Sequence, residues 1–273
     1  LAWEGTGSRL DGAWDTWPLG CVADLEIAPD GSVWSLCAGT LQRFAGGWEP
    51  RGDVTEGAVD FAFTASGDLV AADWWGDALW VGSESPDGTL RWEQGPQGIV
   101  FDVAAAPDGS VWAGMGDVLV RYADGSWTEI AGTEGWQIAM DPDGVAWSVG
   151  PESGLWRWSD PPVSFDEHRG AEDVWVAPNG DVWLRDEGLT RIGDRAEHLR
   201  GYSIVDVAFG PDGSVWAVSG FAGAFRFDGT GWARYTIDDG LSSNALTAVV
   251  VADDGVVWIG SRVEGVMRFT PSG

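Results

Sequence analysis

The chain reads as an all-β protein, a seven-bladed β-propeller built of four-stranded antiparallel blades. Three observations predict it. First, a tight turn followed by Gly-x-apolar-Trp recurs along the 273 residues, as PDGSVW at 29–34, 107–112 and 211–216, PDGVAW at 142–147, PNGDVW at 178–183 and DDGVVW at 253–258. Second, the segments between these turns are short and apolar, and no helix-period stretch is available to cover them, so sheets must cover sheets. Third, the last unit is one strand short, and the start of the chain supplies a strand of the right kind.

The turns come first because they set the period. A seventh copy, Ser66-Gly67-Asp68-Leu69-Val70, carries Val70 where the Trp belongs; the turn glycines Gly31, Gly67, Gly109, Gly144, Gly180, Gly213 and Gly255 are then 36, 42, 35, 36, 33 and 42 residues apart. Self-similarity at this period means a repeat architecture. Each turn joins two strands, a and b, with Gly supplying the positive φ that such hairpins need. About nine residues past each Trp comes an Arg beside an apolar residue (Arg43-Phe44, Arg121-Tyr122, Arg157-Trp158, Arg191-Ile192, Arg226-Phe227, Arg268-Phe269), which marks strand c. A second tight turn leads to Trp48, Trp127 or Trp232, opening strand d. Radial packing of such blades leaves only short edges. A stacked solenoid would need capping units, which neither terminus supplies.

The final unit stops after strand c at Thr270-Pro271-Ser272-Gly273, whereas Arg9-Leu10-Asp11-Gly12-Ala13-Trp14 repeats the passage from strand c to strand d seen at Arg226–Trp232. Trp14–Trp17 is therefore expected to complete the last blade, with Trp3 as the other candidate start. The whole of 1–273 is read as one domain with 1–17 as its closing segment. The chain begins at Leu1 without Met, as a mature or excised portion of a longer product would.

Forty-three acidic residues against fifteen basic ones, all Arg, give a formal charge of −28. Such a surface repels phosphate backbones, so nucleic acid and anionic membranes are excluded as partners. No apolar run approaches the ~18 residues that cross a bilayer, so membrane insertion is not expected. Twenty Trp supply core without staples, and the molecule is expected to be monomeric.

The unit Trp232–Phe269 carries a family likeness. Tyr235-Thr236, Asp239-Gly240-Leu241, Ser243-Asn244, Gly255, Trp258-Ile259-Gly260-Ser261, Gly265 and Arg268-Phe269 closely resemble the repeat of the two-component-regulator propellers. The reduced pattern of the other units is also similar to that of streptogramin-lyase-like propellers. The first resemblance implies an extracytoplasmic, ligand-sensing part of a signalling protein. The second implies lyase chemistry with a His, a Glu and a metal, but neither His168 nor His198 aligns with that motif.

Residues that recur at one phase serve the blade, so departures from the repeat are the site candidates. The turn-following Trp and strand-c Arg residues are read as scaffold. An Asp stands seven residues before the turn Gly in five units (Asp24, Asp60, Asp102, Asp173, Asp206), with Gln137 and Ala248 breaking the series. On innermost strands these carboxylates would circle one end of the channel, where they could take Ca²⁺ or another divalent cation. The alternative is that each accepts backbone hydrogen bonds from the incoming d–a loop; on that reading no cofactor is needed. The d–a and b–c loops share one face, longer and less regular than the tight-turn face, and binding is expected there. Its non-repeating residues are Trp74, Trp75, Trp136, Tyr202 and Phe221, with Arg51, Arg169, Arg185, Arg200 and Arg262, a set suited to a sugar, a peptide or a small acidic ligand. Cys21 and Cys37 fall near the same face. A disulfide is one reading of them and two free thiols, favoured in the absence of any other redox cue, is the other.

No Gly-x-Ser-x-Gly, His-Glu-x-x-His, phosphate-loop or Cys-x-x-Cys motif is present. The function the sequence favours is therefore a non-catalytic ligand- or protein-binding module. A metal-assisted lyase or hydrolase at the channel mouth and a structural platform are the alternatives.

Overall fold

The computed structural model describes residues 10–272, except 77, 86–87, 117, 131–134, 151–153, 166–167 and 193–196. The expectations that rest on Trp3 and Arg9 lie outside these residues. Seven antiparallel sheets of four strands form the blades. Their innermost strands are Asp24–Ile27, Ala58–Phe63, Asp102–Ala105, Gln137–Met140, Asp173–Val176, Ile204–Phe209 and Leu246–Val251. The inner strand of blade 1 packs against those of both blade 2 and blade 7, so the ring is closed.

Closure follows the expected plan. Gly12–Trp17 is the outermost strand of the last blade and pairs antiparallel with Gly265–Pro271, with Trp14 opposite Phe269 and Trp17 opposite Val266. Trp14 packs on Phe269 at 4.8 Å and Trp17 stacks on Trp258 at 5.6 Å, while Arg268 pairs with Asp15. Gly265, with φ of 83°, lets the Trp17 carbonyl pass where any Cβ would overlap it.

The recurring Trp and Arg face each other across strands b and c, as in Trp34 opposite Arg43 and Trp258 opposite Arg268. Five of the six turn-following Trp are buried; Trp112 is half-buried. The arginine lies over the indole, at 5.9 Å for Arg43 on Trp34 and 5.7 Å for Arg157 on Trp147, and reaches the a–b turn. There it pairs with a carboxylate: Asp30 at 2.6 Å, Asp108 at 2.6 Å and Asp212 at 2.8 Å. Hydrogen bonds from Ser32 and Ser110 hold Asp30 and Asp108 below the ordinary carboxylate range. Blade 2 loses the whole unit together, with Ser66, Val70 and Val81 at the three positions. That joint loss marks turn acid, Trp and Arg as one structural device.

The family signature in the last repeat is also local structure. Thr236 and Asp239 cap a short 3-10 turn at Ile237–Asp239, Gly240 ends it at φ 103°, and Asn244 accepts the Ile237 N–H at 3.0 Å.

Trp216, 1% exposed, stacks on Tyr235 at 5.3 Å and touches Phe269 of the next blade at 6.0 Å. Trp216→Ala is expected to cost about 3–5 kcal/mol of unfolding free energy by denaturant titration, as for other large buried aromatics. A loss below about 1 kcal/mol would contradict the wedge role.

Candidate functional site

The axial channel is a cavity of about 750 Å³ lined by the inner strands. All five of the repeated Asp residues reach it, together with Glu26, Gln137 and Arg185. Four of the five accept hydrogen bonds whose donors differ from the loop-donor expectation: they belong to the next blade's inner strand, not to the incoming loop. Asp60 Oδ2 accepts from Val103 N at 2.8 Å, Asp102 Oδ2 from Ile138 N at 2.7 Å, Asp206 Oδ2 from Val249 N at 2.7 Å, and Asp24 Oδ2 from Phe61 N at 3.3 Å. Each carboxylate thus latches its blade to the following one.

Where the preceding blade offers no such acceptor, the strand uses its own Asp. Leu25 N donates to Asp24 Oδ1 at 2.7 Å because Ala248 stands in the preceding blade. Val174 N likewise donates to Asp173 Oδ1 at 2.9 Å, after Gln137. Asp173 is itself turned toward Arg185, whose guanidinium lies 3.4 Å from its carboxylate and also donates to Ile204 O at 3.2 Å. Val207 N then falls to Asp206 Oδ1 at 2.7 Å. Across the final seam Thr247 Oγ1 donates to Val22 O at 2.8 Å.

These carboxyl groups are half-buried by surface yet enclosed by the ring, and they repel one another. Burial, then the Asp60 and Glu26 charges, push Asp24 well above the carboxylate range; burial and Asp60 do the same to Asp102. Burial raises Glu26 to about 8. It raises Asp173 to about 7 against the pull of Arg185, and Asp206 to about 7 against its two backbone N–H donors. Among the described residues no group of three or more His, Cys, Asp or Glu is close enough to hold one metal ion. The five Asp are spread around the ring by the blades that carry them.

At the Asp end of the channel three aromatic rings meet. Trp74, from the b–c loop of blade 2, meets Phe101 edge-on at 4.9 Å, and Phe101 stacks on Trp136 at 4.5 Å with 8° between planes. Trp74 and Trp136 stay 40% and 39% exposed, so their outer surfaces are open to a ligand. The buried Asp73 sets the loop, accepting from Thr55 Oγ1 and from Gly76 N, both at 2.6 Å; a Cβ on Gly57 or Gly76 would overlap its carboxylate.

The other candidates divide. Trp75 and Phe221 are 80% and 61% exposed at b–c loop tips, and Arg262 is exposed on the corresponding loop of blade 7. Tyr202, half-buried in the d–a loop just before Ile204–Phe209, packs on Phe225 at 4.8 Å with Arg234 over its ring, so its ring is engaged within blade 6. Arg51 pairs with Glu84 and lies 6.0 Å over Trp34, on the blade exterior, and Arg200 pairs with Glu187. Cys21 and Cys37 are joined in a disulfide, which corrects the reading as free thiols; antiparallel pairing of the strands beside them brings the Cα atoms to 5.5 Å. Phe101 was absent from the sequence candidates, its one signal being its place just before Asp102. A second cleft of about 510 Å³ between blades 5 and 6, on the tight-turn face, is lined by repeated scaffold residues such as Trp183, Asp181 and Arg191.

No protein-family model and no curated sequence matches the chain. Solved structures do. Virginiamycin B lyase from Staphylococcus aureus superposes with a TM-score of 0.75 at 12% identity, covering 97% of this chain and 100% of that one. The extracellular domain of what is described as a hybrid two component system of B. thetaiotaomicron gives 0.73 at 16% identity, over 94% of this chain and 40% of that one. PorZ, a surface component of the type-IX secretion system of Porphyromonas gingivalis, gives 0.70 at 17% identity, over 93% and 47%. At these identities the likeness is one of fold.

Glu26, Asp173 and Asp206 hold protons at pH values where the unfolded chain has released them. Their stabilisation is complete below the unfolded carboxylate range and is lost as pH rises through about 7 to 8. The turn acids Asp30 and Asp108, shifted downward, act oppositely and lose their contribution only in strong acid. The thermal midpoint is expected to fall as pH rises from about 5 to 8, with a shallower fall in Glu26→Gln. A midpoint that climbs through this range would contradict the assignment.

Proposed function

We propose that the chain is a non-catalytic ligand-binding module of sensor type, and that it binds on the face carrying the d–a and b–c loops, at the channel mouth. One observation carries this reading: Trp74, Phe101 and Trp136 come from three blades, none repeats, and together they leave two open indole surfaces beside a cavity of small-molecule size. Five of the six turn-following Trp are buried, whereas Trp74 and Trp136 are 40% and 39% exposed. The blades stay rigid, and the preformed mouth contacts the ligand. The fold neighbours that are extracellular domains, together with the Cys21–Cys37 disulfide, support an extracytoplasmic location. No helix among the described residues is long and apolar enough to cross a membrane.

A lyase or hydrolase is the second reading. It is favoured by Asp173 and Asp206, whose carboxyls are raised to about 7, where general acids and bases work, and by the lyase among the fold neighbours. Against it, four of the six channel carboxylates are already committed to backbone donors of the next blade.

Tryptophan emission should respond saturably to at least one class in a panel of neutral oligosaccharides, short peptides and organic amines. Trp74→Ala and Trp136→Ala should each weaken that response by about tenfold or more, with little change in thermal midpoint. Silence across the panel, or full retention in both variants, refutes the binding face; chemical turnover of a panel member would install the enzyme reading instead.

A further inference from the structure

The class of ligand follows from the balance of charge in the channel, and this step rests on the reading of the loop-rich face as the binding face. Six carboxyl groups line the cavity against a single arginine. Arg185 is already engaged by Asp173 and the Ile204 carbonyl, so it offers little to an acidic ligand. Backbone N–H donors of the next blade orient four of the Asp carboxyls.

Glu26 is a second, independent departure from the repeat. At its phase the other blades carry Ala62, Ala104, Ala139, Trp175, Ala208 and Val250. It is not a latch and lies two residues further along the inner strand than Asp24, which places carboxylates at two depths roughly 6–7 Å apart along the strand. Above both depths stand the open faces of Trp74 and Trp136, which attract cations and pack against aliphatic chain. Carboxyl groups at two depths beneath an aromatic collar together describe one chemistry.

We propose that the channel binds a linear aliphatic polyamine, one ammonium reaching the level of Glu26, the next lying among Asp24, Asp60 and Asp102, and the remaining chain resting on Trp74, Phe101 and Trp136. Cation binding displaces protons from Asp24, Glu26, Asp102, Asp173 and Asp206, so affinity rises with pH; these five, with Asp60 and Arg185, are the charged or titratable groups facing the bound chain.

Calorimetric titration with spermidine tests this. Expected are one saturable site, affinity that increases from about pH 5 to 8 with proton release, and a loss of about tenfold in Glu26→Gln, which touches no latch. Trp74→Ala should weaken binding similarly, and both variants should keep the wild-type circular dichroism. Weak multisite heat that Mg²⁺ reproduces and Glu26→Gln leaves unchanged would overturn the proposal, since a chain of charge −28 attracts any cation diffusely. If spermidine fails while a neutral saccharide or peptide shifts Trp emission through Trp74 and Trp136, the ligand class falls and the binding face stands.

Discussion

Closing seven sheets around an axis leaves each innermost strand with an edge facing its neighbour across a gap too wide for a regular ladder, and its N–H groups need acceptors there. The Asp side chains of the inner strands meet that need, reaching from one blade to the amide of the next at Val103, Ile138 and Val249. Much else depends on this choice. It makes the channel wall acidic, it crowds carboxyls until burial and repulsion raise their pKa values, and it explains the exceptions. Where Ala248 or Gln137 stands in place of the Asp, the next strand's amide bonds its own Asp, and at the seam a threonine hydroxyl bonds a backbone carbonyl instead.

The outer part of blades 1, 3 and 6 is held by a different device, a turn acid, Arg and Trp, which blade 2 loses together and in which blade 7 puts Asp15 of the closing strand in place of the turn acid. Inner latch and outer wedge divide the work: one sets spacing around the axis, the other fills the space between sheets. The b–c loop of blade 2 and the segments entering blades 3 and 4 belong to neither device. Asp73 fixes one such loop from beneath, and Phe101 lies between Trp74 and Trp136 to make a single collar from three blades.

The fold was legible because its signals are local and repeated: Gly31 and its equivalents mark hairpins, each Trp sits at one phase, and Trp14 supplies the strand that Phe269 lacks. The site was legible only in part. Trp74 and Trp136 stand out as departures, but their meeting through Phe101 depends on loop paths that no period describes. Tyr202 and Arg51 departed from the pattern equally, but Tyr202 packs on Phe225 and Arg51 pairs with Glu84 on an outer strand. The Cys21–Cys37 bridge depended on register, which composition does not reveal. The Asp series was visible, while the direction of its hydrogen bonds, forward into the next blade, required the three-dimensional ring.

The inter-blade carboxylate latch is tested most directly by amide hydrogen exchange followed residue by residue. Val103, Ile138 and Val249 should exchange slowly in the native protein, and Asp60→Ala, Asp102→Ala and Asp206→Ala should each speed the exchange of its own partner while leaving the other two protected. Equal protection in the substituted proteins would contradict the latch and, with it, the account of why the channel is acidic.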